Sequence, residues 1–269
     1  MTLKVVEDFL REVNFYDFLV YLSLPILISI IQVSDYLFGI SNYFVLNIND
    51  PSLWQFFTSS YTHLSLTHFF SNLSSYLIIG LILLVISNKI NKKKVVFILF
   101  LVISLILPFI ISLFHFFFNP FNVEIMAGSS GLICAYLGLI PLFWGYLFLK
   151  SKRNLFKLII SLYFYVLFVF ILRYYNILVS LFFLSISLMI MIYFDFKEFN
   201  FKKINDLNYF KKTLFLFPIF FFIISIHFYV FPNNLVIDNA IIEYFSHFIG
   251  ITFGQSLSFI YLLFKRSFS

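Results

Sequence analysis

Carboxylates are missing from every long apolar stretch of this chain: all twelve Asp and Glu lie in polar segments or at the edges of apolar ones. An aspartyl protease working inside a membrane needs two mid-span aspartates, and a proton-coupled transporter needs a buried acidic relay, so both readings are disfavoured. No His-Glu-x-x-His occurs, which removes a zinc protease of that kind. The only lysine inside an apolar run is Lys157, at the edge of 155–172, so a Ser–Lys mechanism lacks a mid-span base. With one cysteine, Cys134, an internal disulfide cannot form. Charge of either sign is scarce: 11% of residues are charged and 62% hydrophobic, whereas soluble globular chains carry about a quarter charged. No polar linker divides the chain. We expect a single membrane domain over 1–269, with residues 1–17 a short cytoplasmic segment that is neither a signal peptide nor a transit peptide.

What the chain does have is long apolar runs. A helix needs about 20 apolar residues to cross the hydrocarbon core. Eight candidates follow: 18–34, 66–87, 95–117, 127–149, 155–172, 177–194, 213–231 and 241–264. The stretch 155–194 cannot be one helix, because forty residues would measure about 60 Å. Arg173-Tyr174-Tyr175-Asn176 is therefore read as a turn.

The basic excess, +6 at neutral pH, orients the chain and does not point to nucleic acid. With the N-terminus in the cytoplasm, 17 of the 18 Lys and Arg fall inside and Arg173 is the exception. Both termini are then cytoplasmic. The runs starting near 66, 127 and 241 all descend from the outer face.

Each of those three runs carries polar residues near its start. Ser130 sits in Gly128-Ser129-Ser130-Gly131 at an expected helix start, where backbone N–H groups are unpaired. Gly131, Ala135 and Gly138 then continue a small-residue face that admits a neighbouring helix. His247 opens a matching face with Gly250 and Gly254. The two faces would bring a histidine to a serine, a base to a nucleophile. With no Asp to orient it, His247 would act in a dyad. His68 and Asn72 are four apart and share a helix face, offering side-chain donors for an oxyanion. His63 is assigned to ordering the 35–65 loop, and His115 and His227 to structural roles without partners.

These segments resemble the rhomboid intramembrane serine proteases. The likeness rests on Trp54-Gln55-Phe56-Phe57-Thr58, on His63 to Asn72, on Gly128 to Gly131, and on His247 to Gly254. It implies an all-α polytopic membrane helix bundle, with a six-helix core and, here, two extra helices, for which 155–194 is favoured as the inserted pair. It also implies a Ser130–His247 dyad, with His68, Asn72 and the Ser129 and Ser130 amides at the oxyanion. Transmembrane protein substrates would be cut near the outer face, in the bilayer of a prokaryotic cell membrane, without metal or other cofactor. Oligomeric state is left open. The chain departs from the family pattern at Gln55, where Arg often follows the Trp. It departs again at Cys134, where an aromatic commonly stacks on the catalytic His. A proteolytically silent relative that binds transmembrane clients is the alternative.

Overall fold

The computed structural model describes residues 15–119, 123–149, 151–193, 209–231, 236–237, 240–241 and 244–264. In chain order the helices are α1 Phe15–Phe38, α2 Ser41–Phe44, α3 Gln55–Thr58, α4 Leu66–Lys89, α5 Lys93–Phe118, α6 Ser130–Phe148, α7 Lys152–Tyr174, α8 Ile177–Ile192, α9 Tyr209–Ser225 and α10 Tyr244–Phe264. Five of them, α4, α5, α6, α7 and α10, are long and apolar enough to cross a membrane. Shorter apolar helical stretches, Pro25–Ser34, Ile177–Ile192 and Phe217–Val230, stand at the other three expected spans. The protein is an all-α, polytopic integral membrane protein. Two compact units divide it, Met1–Tyr136 and Leu137–Ser269.

In the first unit, the loop between α1 and α4 is a folded element. Its strand β1, Leu46–Asn47, pairs antiparallel with β2, Ile125–Met126, in the register Leu46 to Met126 and Asn47 to Ile125. Ile48 N–H extends the ladder to the Glu124 carbonyl at 2.9 Å. Gln55 holds the loop from within: its carbonyl oxygen accepts from Ser52 N–H at 3.1 Å and Asn47 N–H at 3.3 Å. Trp54 Nε1 donates to the Tyr43 carbonyl at 2.8 Å while its ring stays exposed beside Leu53.

Ser65 caps α4 by accepting the His68 N–H at 3.2 Å, so the helix begins where its first orphan donors find an acceptor. Lys93 Nζ meets Asp17 Oδ2 at 2.7 Å, joining the first turns of α1 and α5. Leu77 and Leu81 of α4 and Leu105 of α5 stay exposed, as a lipid-facing surface requires.

The expected helix start near 127 is corrected. Residues 125–126 are strand, Gly128 has φ +131°, and α6 begins at Ser130. A left-handed backbone cannot enter a right-handed helix, so Ser129 stays in the turn and Ser130 becomes the first helical residue.

In the second unit, α7 and α8 form a helical hairpin. Asn176 Oδ1 caps α8 through the N–H groups of Leu178 (2.7 Å) and Val179 (3.2 Å). The turn is shorter than expected, because Arg173 and Tyr174 still belong to α7. Ser161 and Ser187 clasp the hairpin, each hydroxyl donating to the other's carbonyl at 3.1 and 2.9 Å. Such bonds satisfy hydroxyls that lipid could not. A Cβ on Gly138 would lie 2.6 Å from the Ile251 carbonyl oxygen and 3.3 Å from Gly254 Cα, so α6 and α10 touch backbone to backbone.

Candidate active site

The first unit gathers His63, His68, Asn72, Gly128 and Ser129. His63 does more than order the loop: it is 1% exposed and ties the loop to α4 and the turn before α6. Nε2 of His63 lies 3.0 Å from Asn72 Nδ2 and 3.2 Å from Ser129 Oγ. An amide nitrogen only donates, so with the amide so placed Nε2 is the acceptor and the ring proton sits on Nδ1. Burial, and then the neighbouring His68, push the His63 pKa from 6.5 down to about 3.

His68 packs edge-on to His63, with ring centroids 5.1 Å apart, and lies over Gly128. A Cβ at Gly128 would fall 2.6 Å from His68 Cε1, so the ring occupies the space a side chain would need. Gly128 N–H donates to the Ser59 carbonyl at 2.9 Å. The loop thereby sets both the strand ladder and the turn that leads to the serines.

The two serines differ. Ser129 is fully buried with its hydroxyl on His63, a partner that sequence reasoning did not give it. Ser130 is half-buried at the head of α6, where first-turn N–H groups project along the helix axis.

The second unit holds His247 in the first turn of α10, 5% exposed. Its Nδ1 lies 2.8 Å from the Val230 carbonyl oxygen. A carbonyl only accepts, so Nδ1 carries the proton and Nε2 the lone pair, the tautomer a general base needs. The Tyr229 ring lies parallel to the imidazole, with 4° between the ring planes and centroids 6.0 Å apart. Neither partner was readable from the sequence, because a backbone carbonyl has no signature there. His227 is not partnerless as expected: Tyr165 Oη lies 3.1 Å from its Nδ1. His115 is buried, edge-on to Phe114. Among the described residues no three His, Cys, Asp or Glu side chains are grouped to hold a metal ion.

A Rhomboid domain family model matches residues 50–189, just over half of the chain. The chain belongs to the rhomboid family. Comparison with curated proteins gave no match, and comparison with solved structures gave none. The rhomboid match takes in His63, His68, Asn72 and residues 128–131, and it ends within α8, before His247.

Two departures from the rhomboid pattern have local answers. Gln55 replaces the frequent Arg, and its carboxamide pins the loop through Asn47, Ser52 and the Asn42 carbonyl at 3.5 Å. At the usual aromatic position stands Cys134, fully buried; the aromatic parallel to His247 comes instead from Tyr229.

Proposed function

We propose that this rhomboid-family protein is an intramembrane serine endopeptidase that cleaves transmembrane substrates near their outer ends, with Ser130 as nucleophile and His247 as base. The observation that carries this reading is the contrast between the adjacent serines. Ser129 is enclosed and bound to His63, whereas Ser130 is accessible at the helix head. Further support comes from the rhomboid match, which takes in Ser130 within residues 50–189.

In the reaction, Ser130 Oγ attacks the scissile carbonyl carbon as its proton passes to His247 Nε2. The oxyanion is held by Asn72 Nδ2–H, the His68 ring and the amides of Ser129 and Ser130. Asn72 has two amide hydrogens, and His63 takes one, which fixes the direction of the other. Collapse breaks the C–N bond, and His247 protonates the leaving amine. Water then attacks the acyl-enzyme, giving a proton to His247, which returns it to Ser130 Oγ as the acyl C–O bond breaks. The membrane is that of a prokaryotic cell, with both termini cytoplasmic, and no cofactor takes part. The second reading, a proteolytically silent client-binding relative, is separated by one experiment. A fluorophosphonate probe should label purified wild-type protein and spare Ser130→Ala, and Ser130→Ala and His247→Ala should each abolish cleavage of a model transmembrane substrate. Labelling or cleavage that survives in Ser130→Ala overturns the mechanism.

A further inference from the structure

Arg173 is the one cation of 18 that the charge pattern leaves on the outer side. It sits in the last turn of α7 and donates from Nη2 to the His227 carbonyl at 3.3 Å. That carbonyl belongs to a π-turn, Ile226–Val230, which closes through Phe231 N–H to the Ile226 carbonyl at 3.2 Å. Carbonyls at a helix end lack intrahelical donors, and a cation there is favoured by the helix dipole. The same turn is gripped a second time from α7, because Tyr165 Oη reaches the His227 ring. His227 Nδ1 in turn lies 3.1 Å from the Ile223 carbonyl.

Three residues after His227, the turn presents the Val230 carbonyl to His247 Nδ1, and Tyr229 lays its ring along the imidazole. The outer end of α7 also packs on the first turn of α10. Tyr174 stacks on Tyr244 at 3.9 Å and Phe170 on Phe248 at 4.3 Å. α7 therefore holds both the carbonyl that orients the imidazole and the helix that bears it.

We infer that Arg173 and Tyr229 are positioning residues for His247, with Arg173 clamping the π-turn whose Val230 carbonyl selects the Nδ1–H tautomer. The inference rests on the proposed dyad for its catalytic meaning. It gives a task to α7, part of the helix pair that the sequence reading treats as additional to a six-helix core. It also supplies the imidazole with an aromatic neighbour from the turn before α10.

The test uses full-length protein in detergent with ¹⁵N-labelled histidine, as wild type, Arg173→Gln, Arg173→Lys and Tyr229→Leu. The His247 signals are assigned by their loss in His247→Gln, and cleavage of a model transmembrane substrate is followed on the same preparations. Wild type should show His247 as a single Nδ1-protonated tautomer. Arg173→Gln and Tyr229→Leu should show mixed tautomers, with kcat lowered at least ten-fold and KM unchanged. Arg173→Lys should fall between, because an ammonium can still donate to the His227 carbonyl. A single tautomer and intact kcat per folded molecule in Arg173→Gln and Tyr229→Leu overturn the positioning role, whatever happens to thermal stability. If wild type neither cleaves nor labels at Ser130, the dyad fails, and the tautomer comparison still decides whether Arg173 and Tyr229 orient the ring.

Discussion

Asn72 Nδ2 stands 3.0 Å from His63 Nε2, nine residues earlier in the chain, and both groups are buried. The contact makes Asn72 a directed donor, since one amide hydrogen is committed and the plane of the other follows. Asn72→Ala should lower turnover about 10²-fold with the protein still folded. His63→Ala should lower both turnover and stability, because it removes the buried acceptor that the Asn72 amide and the Ser129 hydroxyl share. Turnover per folded molecule and thermal stability, read on one preparation, decide the matter. A pure stability loss in Asn72→Ala would reduce it to a clamp between segments.

Gly128 combines a φ of +131° with a His68 ring where a Cβ would stand. Gly128→Ala should therefore carry backbone strain of about 1–3 kcal/mol and push His68 away from the turn. Cleavage should drop more than the folded fraction does. Equal losses in both measurements would mean that His68 placement is irrelevant to turnover.

Gly138 meets backbone on α10, not a side chain that could swing aside. Gly138→Val should destabilise the protein by about 1–3 kcal/mol or more, as overpacking does. Thermal or denaturant unfolding in detergent checks it, and wild-type stability in this variant would contradict the contact.

Acid should weaken the fold through His63. Its folded pKa lies at about 3, below the ordinary 6.5, so the unfolded chain binds the proton first as pH falls. Stability is full above 6.5 and declines as pH drops from 6.5 towards 3, by at most about 1.4 kcal/mol per pH unit from this group. His63→Gln keeps polar groups without the titration, so its stability should fall less steeply across that window. Parallel slopes in the two proteins would refute the assignment.

The Asp17–Lys93 ion pair sets the starts of α1 and α5 at one membrane face, which requires an even number of crossings between them. Reporter fusions after residues 92, 152, 205 and 266 should read inside, and those after 50, 120 and 238 outside. An outside signal at 205 would break the eight-span topology.

Residue order alone carried the apolar runs, the division of 155–194 into two helices and the four-residue step from His68 to Asn72. Hydropathy over 20 residues, helix length and helical periodicity are local properties, readable without knowing any neighbour. The start of α6 was misread by three residues, because nothing in the apolar pattern reveals that Gly128 adopts a left-handed backbone against a histidine ring. His63 is a loop residue, and its pairing with Asn72 and Ser129 depends on chain segments up to 66 residues apart. The partners of His247 were invisible for a further reason. Every residue has a carbonyl, and only the path of the π-turn makes the one on Val230 the acceptor that sets the imidazole's tautomer.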